Sequence, residues 1–114
     1  GENFNKISFV NTNMSSGNYI KPRHIEIQAP YPNPFNNSIT IDYKLFKDSI
    51  VKIIIFDIKG NLIKNLFFGK QISGSKSIKW NAINNKGKIV SAGEYLVKIK
   101  IGDFAQTKKI IFIK

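Results

Sequence analysis

The stretch Pro30-Tyr31-Pro32-Asn33-Pro34-Phe35-Asn36-Asn37-Ser38 contains three of the four prolines in the chain. Each proline fixes its own φ at about −65°, removes a backbone donor and disfavours helical geometry in the residue before it. These restrictions exclude the stretch from the interior of a helix and from a central strand. We therefore predict a stiff, polyproline-like corner in which Ala29, Tyr31 and Asn33 are extended.

Two aromatic residues, Tyr31 and Phe35, lie on this corner. Large apolar rings on a stiff corner are typical of a segment that closes the end of a β-sandwich. Burial of each ring would then contribute roughly 2–3 kcal/mol. The alternative is a proline-rich linker, which would carry Ser, Glu and Gly in place of aromatic residues. We predict that both rings close one end of the fold.

Beyond the corner, apolar and polar residues alternate in short runs, which is typical of strands with one buried face. Glycine turn signals, such as Lys59-Gly60-Asn61 and Asn84-Asn85-Lys86-Gly87, separate these runs. The seven predicted strands span residues 24–28, 39–45, 50–57, 62–68, 77–81, 94–101 and 104–113, with a polar loop at 69–75. The pattern predicts an all-β fold, an immunoglobulin-like antiparallel β-sandwich of about seven strands.

The chain has 114 residues, of which 42% are hydrophobic, and this is enough for one domain with a core. We assign residues 25–114 to the sandwich. Residues 1–24 are predicted to be a linker or the tail of a preceding domain, with one extra edge strand as the alternative. No run approaches the roughly 20 apolar residues of a membrane-spanning helix. Because the chain begins at Gly1 without a leader, we expect it to be a piece of a larger precursor.

The sequence is strongly basic, with a formal net charge of +11 and 18 basic residues against 7 acidic ones. All of the basic residues except Arg23 are lysine. Proteins that recognise bases or clamp phosphates favour the forked guanidinium group of arginine. Dispersed lysine therefore argues against nucleic-acid binding and favours solvated surfaces. Binding to a polyanion such as anionic lipopolysaccharide is the alternative.

Residues that could form a reaction centre are sparse in this sequence. There is no cysteine and only one histidine, His24, which is predicted to lie at the surface. The acidic residues are scattered: Asp42, Asp57 and Asp103 fall on different predicted strands or turns. A nucleophile with its base, paired carboxylates or a metal cluster would be needed for catalysis. We therefore expect no enzymatic activity and no cofactor.

The order of these features resembles the C-terminal sorting domain (type A) of type IX (Por) secretion substrates. This family is similar to the immunoglobulin-like domain of the flagellar hook-capping protein. The resemblance covers roughly residues 25–114. It includes the Phe56-Asp57 strand end, Ser91-Ala92-Gly93-Glu94-Tyr95, and Thr107-Lys108-Lys109 before the final apolar run. The residues that carry the motif are Tyr31, Pro32, Asn33, Pro34, Phe35, Asn36, Gly60, Trp80, Gly87, Gly93 and Tyr95.

The resemblance implies a non-catalytic module that directs a cargo protein, fused at its N-terminal side, through the outer-membrane secretion machinery. The exported protein would cross the periplasm and then be released or attached at the cell surface. The final strand, which reaches Lys114, is expected to be exposed and to carry the signal. The predicted signal residues are Lys108, Lys109, Ile110, Ile111, Phe112, Ile113 and Lys114.

One departure from the family pattern concerns the segment after Trp80. The family often has Asp and then Gly there, whereas this chain has Asn81-Ala82. Amide and backbone oxygens alone are weak support for a calcium site, so none is expected near Asn81. The alternative function is a structural immunoglobulin-like module of a surface protein that pairs strands with a neighbour or binds carbohydrate.

Overall fold

The structure is a computed structural model that describes residues 25–114. The expectations for residues 1–24, including an extra edge strand and the surface position of His24, lie outside the described residues. Seven strands follow one another along the chain: β1 Ile25–Ile27, β2 Ile39–Leu45, β3 Ser49–Asp57, β4 Leu62–Gln71, β5 Gly74–Trp80, β6 Gly93–Ile101 and β7 Phe104–Phe112. Within this described part, no helix is long and apolar enough to cross a membrane.

The strands form two antiparallel sheets that enclose one core. The three-stranded sheet has the order β1-β2-β5, and the four-stranded sheet has the order β4-β3-β6-β7. All seven predicted strands are present. The prediction of an all-β antiparallel sandwich of seven strands is therefore confirmed.

Alternation along the central strands explains the position of the core. On β2, the alternate residues Ile39, Ile41, Tyr43 and Leu45 are all buried. On β3 and β6, alternate apolar residues face them from the other sheet. The largest fully buried side chains are Trp80, Phe35, Ile39, Ile41, Leu45, Ile53, Ile55, Ile99, Ile110, Val51 and Val97. Burial of this apolar area is the main force that holds the two sheets together.

The β4 region differs from its prediction. The polar loop expected at 69–75 is wrong, because β4 continues to Gln71 and β5 begins at Gly74. Polar residues can form this strand because β4 lies at the edge of its sheet and none of its residues is fully buried. Register shifts opposite β3 allow two successive residues, Leu66 and Phe67, to pack against the core. Leu62 remains half exposed.

The predicted glycine turns lie where expected. Gly60 has a φ of 90° and donates its N–H to the carbonyl oxygen of Asp57 at 3.0 Å. Gly87 has a φ of 78° and donates to the carbonyl oxygen of Asn84 at 2.9 Å. Both values lie in the left-handed region, where a residue with a Cβ atom is strained. The positive φ therefore explains why each of these two turns has glycine at this position.

Candidate functional site

The proline corner connects the two sheets. Tyr31 forms a short antiparallel bridge with Thr40 on β2, in the three-stranded sheet. Only four residues later, Phe35 forms a parallel bridge with Phe112 on β7, in the four-stranded sheet. The Phe35 N–H donates to the carbonyl oxygen of Ile111 at 2.9 Å, and the Ile113 N–H donates to the carbonyl oxygen of Phe35 at 2.8 Å. The corner therefore holds the C-terminal end of β7.

Asn33 extends this pairing with its side chain. Its Nδ2 donates to the carbonyl oxygen of Lys109 at 3.1 Å, and its Oδ1 accepts from the N–H of Ile111 at 2.9 Å. A side-chain amide has one donor side and one acceptor side, as a peptide group does. Asn33 thus takes the place of a neighbouring strand along this part of the β7 edge. We call the contact of residues 31–35 with residues 109–113 the corner–β7 junction.

The rings beneath the junction form an aromatic cluster. The ring of Phe35 is almost fully buried and lies 5.2 Å from that of Phe112 and 5.9 Å from that of Trp80, centroid to centroid. Trp80 also meets Tyr95 at 5.4 Å in an edge-to-face arrangement. The polar atoms at the cluster are paired, since Trp80 Nε1 donates to the Ile83 carbonyl oxygen at 2.8 Å. The prediction that Phe35 closes one end of the sandwich is confirmed.

The corresponding prediction for Tyr31 is wrong, because its side chain is 50% exposed. Asp42 lies on the solvent side of β2, and the Tyr31 hydroxyl donates to its Oδ2 at 2.8 Å. Ser77 donates to the other carboxylate oxygen at 2.7 Å. The bonds from Ser77 and Tyr31 lower the pKa of Asp42, and the same contact with Asp42 raises the pKa of Tyr31. Tyr31 therefore lies on the outside of the three-stranded sheet.

The conformation of the corner also differs from its prediction. The chain bends at residues 32–34 and again at 36–37, and the Tyr31–Pro32 and Asn33–Pro34 peptide bonds are cis. The expected polyproline-like geometry is therefore wrong for residues 32–34, Asn33 included, whereas Tyr31 lies in a β-bridge and is extended. The physical reason is that Tyr31 and Phe35 are held in bridges on different sheets, and the chain bends between these two points.

A second asparagine caps the opposite edge of the four-stranded sheet. Asn85 Oδ1 accepts from the N–H of Asn65 on β4 at 2.9 Å, and the Asn85 N–H donates to the Ile63 carbonyl oxygen at 3.0 Å. Its neighbour Asn84 accepts from the N–H groups of Lys86 and Lys88 through Oδ1. Sequence analysis assigned both residues to a turn and missed the contact with β4. Both amide oxygens bond within the protein, and residues 25–114 contain no cluster of three or more His, Cys, Asp or Glu residues.

Comparison with known proteins places this geometry in a family. The sequence profile of the secretion system C-terminal sorting domain matches residues 29–114. This match begins just before the corner and includes the whole of β7, so it contains both halves of the junction. The chain belongs to this sorting-domain family. It is the family predicted from the order of the sequence motifs.

Solved structures show the same fold. The sorting domain is similar to part of dimeric latent PorU from Porphyromonas gingivalis, with 22% identity, a TM-score of 0.66 and coverage of 90% of this chain. It is also similar to part of PorZ, a surface component of the type IX secretion system of the same organism, with 21% identity, a TM-score of 0.52 and coverage of 79%. The chain spans about one tenth of the length of either protein, 10% and 11%. No curated protein sequence matches it significantly.

The predicted signal residues of the sorting domain occupy different environments. Ile110 and Phe112 are buried in the core, so the expectation of an exposed final strand is wrong for these two side chains. Lys109 faces outward and forms an ion pair with Glu94 at 3.6 Å. Lys108 pairs with Val97 in the ladder and points to the opposite, inner side of the sheet. The two lysines therefore do not form one basic patch.

The rest of the β7 edge remains open. Since the backbone groups of Ile111 point away from β6 toward the corner, those of Ala105 and Thr107 point the same way. Among residues 25–114, no other strand pairs with this side of β7. The corner thus covers the final third of the strand, and the sorting domain presents an open edge over the rest.

Proposed function

We propose that this sorting domain is a non-catalytic module that directs a protein fused at its N-terminal side across the outer membrane by type IX secretion. The cargo passes through the periplasm and is released or attached at the cell surface. Membership of the sorting-domain family supports a secretion-signal role. The observation that carries the proposal is the corner–β7 junction, because it joins the two ends of the matched segment into one surface.

The proposed signal is a folded surface and not a linear tail. Ile110 and Phe112 cannot meet a receptor while the domain is folded, because their side chains are buried. The accessible groups at this end are Lys109 on β7 and Ile113 and Lys114 after it. They lie next to the exposed side chain of Asn33. An outer-membrane receptor would contact this composite surface. Acidic groups on a partner would be attracted to the basic residues there, and this attraction would speed association.

Export of a reporter fused to the N-terminal side of the full chain tests this proposal in a host that has the pathway. We expect the Lys108→Gln, Lys109→Gln variant to lower the exported fraction at least about threefold, since it removes the outward charge of Lys109 and charges at the rim of an interface affect association rates. Lys44→Gln, Lys79→Gln is the matched control, because it removes the same charge from the three-stranded sheet. Circular dichroism must show that both variants fold.

Truncation separates a signal from a structural role. Deletion of Lys114 alone removes an exposed residue and should leave the fold intact. Deletion of residues 112–114 removes Phe112 and the bridge to Phe35, and it should unfold the domain. Normal export by the lysine variant and by the Lys114 deletion together would contradict a signal at the junction. The signal would then lie elsewhere on the sandwich.

A further inference from the structure

The outward side of β4, β3 and β6 carries an unusual mixture of apolar and basic side chains. Opposite the core-facing residues, each of these strands alternates toward solvent. We call this surface the outer face. Its members are Leu62, Asn65, Phe68 and Lys70 on β4, Ile50, Lys52, Ile54 and Phe56 on β3, and Leu96, Lys98 and Lys100 on β6.

Large apolar groups on the outer face meet solvent. Phe68 is 72% exposed, Ile50 is 61% exposed and Leu62 is 50% exposed. Ile54 and Phe56 lie between them and are only half buried. The sequence of β3 is almost entirely apolar, which is typical of a strand covered on both faces. Within residues 25–114, only its inner face is covered.

The charges on the outer face are mostly positive. Lys52, Lys70, Lys98 and Lys100 lie among the apolar groups. The next outward residue of β6, Glu94, is acidic, and it pairs with Lys109. A shallow groove of about 380 Å³ between Lys52 and Phe68 runs along the β4 side of the face.

The opposite surface of the sandwich provides an internal comparison. The outward strand residues of the three-stranded sheet are all polar, and their charges balance as two acidic groups and two lysines. They are Glu26, Thr40, Asp42, Lys44, Ser75, Ser77 and Lys79. An ordinary solvated face of this fold therefore needs neither exposed phenylalanine nor an excess of lysine. The outer face differs from it in both respects.

Charge complementarity limits what can cover the outer face. Residues 1–24 carry Lys6, Lys21 and Arg23 against the single acid Glu2, so this segment is itself basic. A second copy of the chain is also basic, with a net charge of +11. The partner that covers the outer face must therefore present negative charge together with an apolar region. We propose that the outer face binds the phosphate-bearing surface of an anionic lipid bilayer.

The amino-acid composition of the face favours lipid over an acidic protein. Protein interfaces are depleted in lysine, and all four basic side chains of this face are lysine. Lysine side chains can lie along apolar surface while their ammonium groups reach phosphates in the headgroup layer. Phe68, Leu62 and Ile50 would enter the boundary between headgroups and acyl chains. This inference does not rest on the proposed export role, because it is drawn from side chains of β3, β4 and β6, although Lys109 of the corner–β7 junction lies beside Leu96.

Vesicle sedimentation with the full chain tests the inference, using phosphatidylcholine with and without about 30% phosphatidylglycerol. We expect binding to the anionic vesicles only. Lys52→Gln, Lys98→Gln, Lys100→Gln should weaken it roughly 100-fold, since each lysine near an anionic surface contributes about fivefold. The control Lys44→Gln, Lys79→Gln, Lys86→Gln removes the same charge elsewhere and should weaken binding less than about fivefold. Phe68→Gln should weaken binding at least about threefold.

Several results would overturn the inference. Equal losses in the two lysine variants would mean that net charge alone drives binding. Unchanged binding by Phe68→Gln would exclude the apolar contact. A tenfold or larger gain on deletion of residues 1–24 would show that this segment covers the face. Finally, the protein could fail to bind vesicles while the Lys52→Gln, Lys98→Gln, Lys100→Gln variant, and not its control, reduced export of a reporter. That result would assign the face to an acidic protein partner.

Discussion

Tyr31 and Phe35 are four residues apart on one corner, yet the two bridges of the corner send their rings in opposite directions. Phe35 enters the aromatic cluster, whereas Tyr31 lies on the solvent side of β2 and is bonded to Asp42. The residue types alone could not distinguish these positions. The difference arises from which sheet each residue pairs with, and this depends on residues far away in the sequence.

Replacement of each ring should therefore have a different cost. We expect Phe35→Ala to lower the free energy of unfolding by about 3–5 kcal/mol, because it leaves a cavity in a packed core. Tyr31→Ala should cost much less, since it removes one hydrogen bond at an exposed site. Urea denaturation of the two variants measures both values. Equal losses would mean that Tyr31 contributes to packing.

The turn at Asp57 predicts a pH effect. Asn61 bonds this carboxylate through its side chain (3.0 Å) and its N–H (2.9 Å), and the Lys59 N–H adds a third bond. These contacts, the Asn61 side chain first, lower the pKa of Asp57. A carboxylate with a lowered folded-state pKa stabilises the fold above its unfolded pKa of about 3.9, and this stability is lost as the pH falls through the folded value.

We expect the melting temperature of the wild type to fall more between pH 6 and pH 3 than that of Asp57→Asn, which cannot titrate. Asn61→Ala should reduce the difference, because it removes the main cause of the lowered pKa. Thermal melts followed by circular dichroism across this range provide the measurement. Parallel curves for wild type and Asp57→Asn would exclude the carboxylate as a source of the pH dependence.

At the level of elements, the local alternation of apolar and polar residues predicted some strand ends, whereas features that depend on long-range pairing could not be predicted. The ends of β2 were predicted to the residue, because seven residues alternate cleanly between a corner and a turn. The length of β4 was not, since an edge strand with two bulges needs little apolar alternation. Nor could the corner–β7 junction be predicted, because it joins residues more than 70 positions apart. The family, and the two segments that form the junction, could nevertheless be identified from the order of the motifs.

Asn33 and Asn85 each occupy part of an edge of the four-stranded sheet with which another strand could otherwise pair. We expect Asn33→Ala to speed amide exchange at Ile111, and Asn85→Ala to speed it at Asn65, each by about fivefold. This corresponds to the loss of a hydrogen bond that contributes about 1 kcal/mol. Asn36→Ala, at an exposed position of the same corner, is the matched control. Hydrogen exchange followed by NMR resolves the individual amides, and unchanged rates at Ile111 and Asn65 would contradict the capping role.

For the molecule as a whole, lysines lie on both sides of the sandwich, and their excess over acidic residues lies on the outer face. Residues 25–114 contain lysine on every strand except β1, and both outward faces include some of it. A nucleic-acid module would instead concentrate arginine and aromatic residues along one groove or helix. The excess on the outer face is four lysines with no arginine, the side chain that most often reads bases. Its electrostatic attraction to a polyanion should therefore lack sequence preference.

We accordingly expect the protein to bind duplex DNA weakly and without regard to sequence. Because each phosphate contact releases a counterion, affinity should fall steeply with salt and be lost near about 0.2 M. Fluorescence anisotropy with two unrelated oligonucleotides over a salt series measures both the slope and any preference. The Lys52→Gln, Lys98→Gln, Lys100→Gln variant should reduce the slope of affinity against salt concentration, since it removes three of the cations that can contact phosphates. Sub-micromolar, salt-resistant binding to one oligonucleotide would require a specific contact that dispersed lysines do not supply, and would favour a nucleic-acid module.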